Sequence, residues 1–314
     1  MVRFLTLRFA LIVVTLLVVS VVIFAVSEAL PSDAAERLMG QYATEQNVMH
    51  LREELGLDRS APERYGKWIW GAVRGDLGTS LIQRQPITGI VGHRLLPSIY
   101  LAVAALLIAV PSAVLVGIWA GVRPNSKGDR AVSLIGMVGI SLPEFVTGLF
   151  LTIIVALKLG WLPTTSAIPR GETPLTKPEI LILPTLTLTI ALFAYIMRMT
   201  RASVIETMDS HYVRSATLKG LSRKRVIFRH AVPNAMLPTI TVVATTVGWL
   251  LGGLIIVENV FAYPGLGQLL LNSIQTRDGP LLQACALLIA VAYTFSNLFA
   301  DISYRILDPR IRLT

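Results

Sequence analysis

The sequence predicts an all-α integral membrane protein with six transmembrane helices, and three observations lead to this prediction. The 314 residues are 54% hydrophobic and only 15% charged, which is too apolar for a water-soluble domain of that size. Apolar stretches as long as a bilayer-spanning helix recur along the chain. Basic residues concentrate in alternate connecting segments, as in the cytoplasmic loops of multi-pass proteins.

Six apolar stretches have the required length. They are Phe9–Leu30, Ser98–Gly121, Ala131–Leu157, Ile180–Met199, Leu237–Val257 and Leu281–Ala300. The first is longer than a signal-peptide core and has no small-residue cleavage site close behind it, so we expect an uncleaved span. Pro143 in the third stretch predicts a kink or an unwound turn.

The distribution of Lys and Arg predicts that both termini lie in the cytoplasm. With six spans, the cytoplasmic segments include residues 123–130 and 198–229, which are rich in cations. The insert between the first two spans, residues 31–96, instead balances eight acidic with eight basic side chains. Topology and contact with anionic lipid therefore account for the net charge of +9, and no nucleic-acid partner is needed.

These features divide the chain into four parts. Residues 1–30 form the first transmembrane helix, and residues 31–96 form an extracytoplasmic insert of short helices and turns. Residues 97–305 form the core of five transmembrane helices, with a cytoplasmic loop at about 201–235. Residues 306–314 form a cytoplasmic tail.

The cytoplasmic loop has the most informative pattern in the chain. Residues 212–220 read Tyr-Val-Arg-Ser-Ala-Thr-Leu-Lys-Gly, and a basic run after them ends at Pro233. We expect two short helices that break at Gly220, because glycine accepts a positive φ. We also expect the small Ser215 and Ala216 to let another protein approach closely. A basic helix resting on lipid would explain the charges, but not the spacing of Ala216, Gly220 and Pro233.

This loop resembles the Glu-Ala-Ala loop of permeases of ATP-binding-cassette (ABC) importers. In that pattern the triplet is followed by three residues, a glycine, nine residues and Ile-x-Leu-Pro. Here Arg-Ser-Ala stands at 214–216, glycine at 220 and His-Ala-Val-Pro at 230–233. The spacing of the motif is therefore kept, while several of its residue types differ. The resemblance implies that the loop couples the spans to a separate ATPase. The residues implied in this coupling are Tyr212, Arg214, Ser215, Ala216, Gly220, His230 and Pro233.

Two motifs on the predicted outer face are similar to the first permease of the dipeptide/oligopeptide/nickel importer branch. One is Gly-Asp-Leu-Gly-Thr-Ser at residues 75–80, and the other is Val-Glu-Asn-Val-Phe-Ala-Tyr-Pro-Gly-Leu-Gly at residues 257–267. The resemblance singles out Gly75, Asp76, Gly78, Glu258, Pro264, Gly265 and Gly267. We expect Glu258 to anchor the turn at 264–267 rather than to contact the solute.

The resemblance implies a type I ABC importer permease fold and a place in the bacterial inner membrane. The implied partners are a second homologous permease, two cytoplasmic ABC ATPase subunits, an extracytoplasmic solute-binding protein and the lipid bilayer. The sequence has no phosphate-binding Gly-x-x-x-x-Gly-Lys-Ser/Thr loop, so we expect no ATPase activity in this chain. ATP and Mg would be used by the partner ATPases, with no cofactor or metal bound here. Short peptides are the implied substrate class, while nickel chelates, glutathione and oligosaccharides stay open.

Glu144, directly after Pro143, places a carboxylate in the third span, where a charge is costly. It could face the translocation path or pair with a cation, but capping a broken helix turn is equally compatible. The alternative function is an ion-coupled secondary transporter. Against it, the spans show no evident inverted repeat and no intramembrane carboxylate–cation chain beyond Glu144. An intramembrane enzyme fits less well, because no nucleophile–base pair is present.

Overall fold

The computed structural model describes residues 2–29, 44–55, 58–168 and 173–307. These residues form helices and turns with no β-strand, apart from an isolated antiparallel bridge between Thr79 and Pro86, which confirms the predicted all-α class. The helices are α1 (Val2–Ala29), α2 (Glu45–Leu55), α3 (Ala61–Val73), α4 (Ile87–Gly121), α5 (Lys127–Ser141), α6 (Glu144–Leu151), α7 (Glu179–Met208), α8 (His211–Leu218), α9 (Val232–Val260), α10 (Leu266–Thr276) and α11 (Gly279–Leu307). Residue 30 of the predicted first span, part of the predicted insert (31–43 and 56–57) and most of the predicted tail (308–314) lie outside the described residues.

The predicted spans correspond to long apolar helices. Within the described part of the chain, five helices are long and apolar enough to cross a membrane, and a sixth span results if α5 and α6 count together. The fifth predicted span begins earlier than the hydropathy suggests. A helical turn at Arg223–Arg225 and a π-helical segment at Val226–Ala231 lead directly into α9. Nothing in the residue pattern indicated the π-helical segment.

The third predicted span is broken, as Pro143 predicted. Helices α5 and α6 meet at an angle of 106° on either side of Leu142 and Pro143. Leu142 is extended, with φ −88° and ψ 125°, because the ring of a following proline disfavours the helical region. Pro143 also lacks the N–H that would continue the helix. After α6 the span ends in a π-helical segment, Thr152–Lys158.

Two compact units divide the chain, Met1–Ser98 with Pro264–Thr294, and Ile99–Tyr263 with Phe295–Thr314. The first unit contains α1, α2, α3 and α10 whole. Its core is formed by buried apolar side chains from the start of α4, from α10 and from α11. They are Ile87, Val91, Leu266, Leu269, Leu281, Ala284 and Cys285.

The C-terminal part of α1 is held by side chains of the first unit. The Phe24 ring lies edge-on to Tyr65 at 5.5 Å between centroids and stacks on Trp68 at 6.3 Å, both in α3. A hydrogen bond of 2.8 Å joins the hydroxyls of Ser20 and Tyr65, and Gln283 donates to Ser27 Oγ at 2.6 Å. The rest of α1 is largely exposed.

The second unit is built around α7, which packs against α5, α6 and α9. Its buried apolar residues include Leu183, Leu188, Leu192, Ile196 and Met197. Side chains of α4 and α9 complete the core, among them Leu101, Ala105, Ala109, Ala113, Leu250, Leu254 and Val257. This unit contains the loop that resembles the Glu-Ala-Ala loop.

Candidate functional site

The candidate coupling segment, residues 211–233, forms two helical pieces on either side of a left-handed glycine. Gly220 has φ +79°, as the sequence predicted. A Cβ at this position would meet no atom within 4 Å, so the backbone conformation and not lack of space favours glycine. The end of α8 is closed by the Gly220 N–H, which donates to Thr217 O at 3.0 Å, and by the Leu221 N–H, which donates to Ala216 O at 3.4 Å.

The candidate coupling segment has a small core of its own. Val213, Ala216, Val226 and Ala231 are buried together, with Met208 and Leu221 packed against them. The expectation that Ala216 lies open to another protein was therefore wrong. Its small side chain fits the inside of the segment, and only Ser215 of the pair is exposed.

Leu218 and Phe228 are exposed apolar side chains of the candidate coupling segment that the residue pattern did not single out. Leu218 is 81% exposed and Phe228 68%, beside Tyr212 at 45%. Arg214 and Pro233 are also exposed, while His230 is half-buried. These side chains supply apolar area that is available for contact with another protein.

An ion pair between a buried carboxylate and a half-buried arginine joins α5 and α7 and was also missed in the sequence. Asp129, which is 1% exposed, accepts hydrogen bonds from Nε of Arg201 and, at 2.8 Å, from its Nη2. The same carboxylate accepts the N–H of Asn125 at 2.9 Å. Ser126 caps α5 by accepting the N–H of Asp129 at 3.1 Å. The residue types are ordinary for the charged segments between apolar stretches, so only the fold could reveal that these two meet.

Glycines bring α4 close to α7. A Cβ at Gly117 would lie 2.7 Å from Thr200 Cβ and 2.8 Å from Met197 O. A Cβ at Gly121 would lie 2.7 Å from Val204 Cβ and 3.0 Å from Arg201 O. These contacts are too short for a side chain, so this small-xxx-small pair is a helix-packing interface.

The 75–80 motif forms a turn that is anchored on a buried aspartate of the first unit. Gly75 and Gly78 have φ of +84° and +80°, and Asp76 Oδ1 accepts the Gly78 N–H at 2.9 Å. Ser80 Oγ donates to Asp278, whose carboxylate also accepts the N–H groups of Leu81 and Ile82 at 3.2 and 3.3 Å. Asp278 is fully buried and immediately precedes α11. The motif therefore specifies backbone shape, and Asp278 holds it.

The 257–267 motif has one part in each unit. In the second unit Glu258 is fully buried, and its backbone carbonyl accepts the Tyr263 N–H at 2.8 Å. Burial, and secondarily the nearby Glu258 carboxylate, raise the pKa of the Tyr263 phenol, so this tyrosine stays protonated.

In the first unit, Gly265 is the N-cap of α10, after Pro264, and the buried Gly267 follows in its first turn. The Leu266 N–H donates to Ser98 Oγ at 2.8 Å, and Arg94 donates to Gln268 Oε1 at 3.2 Å. These contacts connect α10 with the Arg-Leu-Leu-Pro-Ser run of residues 94–98.

Glu144 lies at the first position of α6, directly after the break in the third span. Its carboxylate is directed at Gly253 of α9, where a Cβ would come within 2.7 Å of Oε2. Gly253 lies seven residues before the end of α9, which is about 10 Å along the helix axis. Among the described residues, Glu144 has no ion-pair or hydrogen-bond partner, in contrast to Asp129.

Comparison with known proteins identifies the class to which these features belong. Residues 113–313 match the family described as binding-protein-dependent transport system inner membrane component, and residues 1–96 match the N-terminal domain of such components. The chain belongs to this family and is a multi-pass inner-membrane permease subunit of an ABC importer of the peptide/nickel class. Proteins of this family are membrane components and not the catalytic subunits.

The relatives extend over nearly the whole chain. It is 38% identical to the glutathione transport system permease protein GsiC of Shigella flexneri serotype 5b (strain 8401), over 95% of both chains. It is 37% identical to the protein of the same name from Escherichia coli (strain K12), with the same coverage. A crystal structure of an amino acid ABC transporter with histidines shares the fold, with a TM-score of 0.56 at 16% identity over 70% of this chain and 94% of that one.

Proposed function

We propose that this chain and a second, homologous permease form the translocation path of an ATP-driven importer of short peptides. An extracytoplasmic solute-binding protein delivers the solute, and two cytoplasmic ABC ATPases drive alternating access. ATP and Mg are used by those ATPases, and this chain binds no cofactor. The observation that carries the proposal is the candidate coupling segment, because a folded segment with its own small core can pass a displacement from a partner to the spans.

The proposed topology places both termini and the candidate coupling segment in the cytoplasm. Residues 1–30 are then the first span, residues 31–96 an extracytoplasmic insert, residues 97–305 the permease core with the coupling loop at about 201–235, and residues 306–314 a cytoplasmic tail. The asymmetric distribution of Lys and Arg supports this orientation. Anionic lipid, and not nucleic acid, is the partner of the remaining basic side chains.

The surface that docks on the ATPase is the exposed side of the candidate coupling segment. Tyr212, Leu218 and Phe228 supply apolar contact area, with Arg214 and Ser215 on the same segment. Gly220 gives the turn between the two helical pieces, and Pro233 starts α9. The 75–80 and 257–267 motifs, with Gly75, Asp76, Gly78, Glu258, Pro264, Gly265 and Gly267, shape turns on the outer face.

Short peptides are the substrate class that the relatives favour. The similar GsiC proteins belong to glutathione transport systems, and glutathione is itself a tripeptide. We therefore take glutathione as the first solute to test, with simple dipeptides and tripeptides as the second.

Glu144 is the side chain that we assign to the translocation path. Its carboxylate lies about two turns inside the end of α9, against a glycine and without a cation partner among the described residues. An unpaired charge at such a position costs several kcal/mol, so a carboxylate there is typically kept for a role in transport. A carboxylate there complements the ammonium group that glutathione and ordinary peptides carry.

Reconstitution of the complex in proteoliposomes tests the coupling role through Gly220→Val. A β-branched residue cannot adopt φ +79° without strain, so we expect ATP-driven glutathione uptake to be lost or the ATPases to be released. Gly160→Val is the matched control, since Gly160 also has positive φ and open space but lies outside the segment. Normal uptake by Gly220→Val would contradict the coupling role. Uptake that needs only an ion gradient would favour a secondary transporter.

The path role of Glu144 is tested by Glu144→Gln in the same vesicles. We expect the KM for glutathione to rise while assembly with the ATPases is kept, because the carboxylate contacts the solute and has no hydrogen-bond or ion-pair partner among the described residues. Glu179→Gln, which neutralises an exposed acid at the start of α7, should leave the KM unchanged. Equal KM values for Glu144→Gln and the wild type would remove Glu144 from the path.

A further inference from the structure

We infer that the Asp129–Arg201 ion pair is a positioning pair that makes the start of the broken span move together with the end of α7, which carries the candidate coupling segment. This inference rests on the proposed function, because it assigns the route by which that segment's displacement reaches the spans. Neither residue belongs to the motifs that resemble the importer family. The geometry around Asp129 points to the pair.

Asp129 fixes one side of the connection. Its carboxylate holds the α4–α5 turn through the N–H of Asn125, a residue with φ +63°, and accepts two hydrogen bonds from Arg201. Ser133 Oγ, one turn further along α5, donates to it at 3.4 Å. One buried side chain therefore sets the conformation of the turn and the direction of the first turn of α5.

Arg201 fixes the other side, at a turn of α7 that is connected to both ends of the candidate coupling segment. Arg201 lies seven residues before Met208, where α7 ends and leads into α8. Ser203, in the same turn, donates to Ala235 O at 2.9 Å, and Ala235 lies in the first turn of α9. Displacement of the segment is thus transmitted to the turn that contains Arg201.

The chemistry of the pair makes the link directional. Two parallel N–H···O bonds between a guanidinium and a carboxylate define an orientation as well as a distance, which a single-point ammonium does not. Separation of the pair would leave a buried carboxylate without its cation, and this is strongly unfavourable. The pair therefore favours joint movement of α5 and α7 over sliding of one against the other.

The break at Leu142 and Pro143 connects this movement to the backbone next to Glu144. Because α5 and α6 are separate helices at 106°, α5 can follow α7 without carrying α6 as one rigid rod. Glu144 lies just beyond the break and faces Gly253 of α9. Joint movement of α5 and α7 thus changes the backbone next to the proposed path carboxylate.

The test compares Arg201→Lys with Arg198→Lys in the reconstituted complex. Lysine keeps the charge at 201 but cannot make the bidentate contact, whereas Arg198 is exposed on the same helix and makes no contact with Asp129. ATP hydrolysis and glutathione uptake are measured in the same vesicles. We expect uptake per ATP to fall at least about fivefold for Arg201→Lys, the lower end of typical coupling effects, and to stay at the wild-type value for Arg198→Lys. A purely structural role would reduce the amount of complex and leave this ratio unchanged, and an unchanged ratio would overturn the inference.

A second measurement decides the matter if Arg201→Lys fails to assemble. Spin labels are placed at the exposed positions 127 and 198 in a complex that keeps Arg201, with the native Cys285 replaced by alanine. We expect the distance between the labels to change by less than about 2 Å when ATP binds, because α5 and α7 move as one body. A larger change would overturn the inference. Wild-type vesicles that show no ATP-driven uptake of any peptide would instead refute the proposed function.

Discussion

Helices α1 and α7 are both apolar enough to span a bilayer, but they are packed in opposite ways. In the most apolar 18-residue window of α1 only 6% of the residues are buried, whereas the corresponding share in α7 is 61%. The more apolar of the two is the exposed one. Hydropathy therefore identifies spans without telling which span forms the core of its unit.

The difference follows from what drives helix packing in lipid. Lipid tails are as apolar as valine or leucine, so an apolar side chain gains little by leaving them, and close packing and hydrogen bonds decide which faces are buried. The buried face of α7 includes hydroxyl groups whose hydrogen bonds are made within the helix, such as Thr187 to Leu183 O at 2.9 Å and Thr200 to Ile196 O at 2.8 Å, so these groups can be buried against other helices. Weakly polar threonines mark the helix in the core, and repeated valine pairs mark the helix outside it.

The largest expected contrast is between core and lipid-facing truncations. Leu192→Ala, at a position 1% exposed in α7, should destabilise the chain by about 2–5 kcal/mol, because it leaves a cavity among packed side chains. Val18→Ala, at a position 59% exposed in α1, should change the free energy of unfolding by no more than about 0.5 kcal/mol. Reversible unfolding in mixed micelles measures both. Similar changes in the free energy of unfolding for the two variants would contradict the difference in packing between α1 and α7.

Two glycine-to-alanine substitutions extend the comparison, because we expect one to destabilise the protein and the other to stabilise it. Gly117→Ala puts a methyl group 2.7 Å from Thr200 Cβ and should destabilise by about 1–3 kcal/mol. Gly252→Ala meets nothing within 4 Å and should stabilise α9 by about 0.5–1 kcal/mol through lower backbone entropy. Unfolding of the isolated chain is the measurement. Destabilisation by Gly252→Ala would mean that the α9 surface is closer packed than the structure indicates.

The glycines also show which structural features can be predicted from the sequence alone. Both pairs, Gly117/Gly121 and Gly248/Gly252, fit the small-xxx-small pattern, but a Cβ at Gly117 or Gly121 would clash with α7, whereas a Cβ at Gly252 would meet nothing within 4 Å. The all-α class, the broken third span and the positive φ of Gly220 could be predicted because proline, glycine and apolar length act locally. Contacts between residues far apart in the chain could not.

The candidate site likewise has features that the sequence could predict and features that it could not. The spacing that led to Gly220 also suggested an exposed Ala216, and its burial depends on where Val226 and Ala231 return in the fold. The Asp129–Arg201 pair joins residues 72 positions apart, and neither residue differs in type from its charged neighbours. Single-sequence patterns report backbone preferences, whereas ion pairs and inward-facing alanines depend on tertiary packing.

A smaller effect is expected where α1 packs against the aromatic side chains of α3. Phe24→Leu keeps apolar volume but removes the ring contacts with Tyr65 and Trp68. The free energy that stabilises the contact between the end of α1 and α3 should therefore fall by about 0.5–1.5 kcal/mol. Hydrogen exchange of the amides of residues 61–73 measures this local opening. Val21→Leu, on the exposed side of α1, is the control and should leave the exchange rates unchanged.

The smallest effect is expected from removal of one hydrogen bond at the same place. Tyr65→Phe deletes the 2.8 Å bond to Ser20 but leaves the Ser20 hydroxyl donating to Leu17 O at 2.8 Å, so no polar group loses its last partner. Interhelical hydrogen bonds of this kind average about 0.6 kcal/mol in membrane proteins, and we expect exchange of the α3 amides to speed up by about threefold at most. Acceleration tenfold or greater would mean that the hydroxyl pair, and not the aromatic rings, holds α1 against α3. The exposed helix would then depend on polar contacts as much as the buried one, and the contrast between α1 and α7 would lie only in how many such contacts each helix makes.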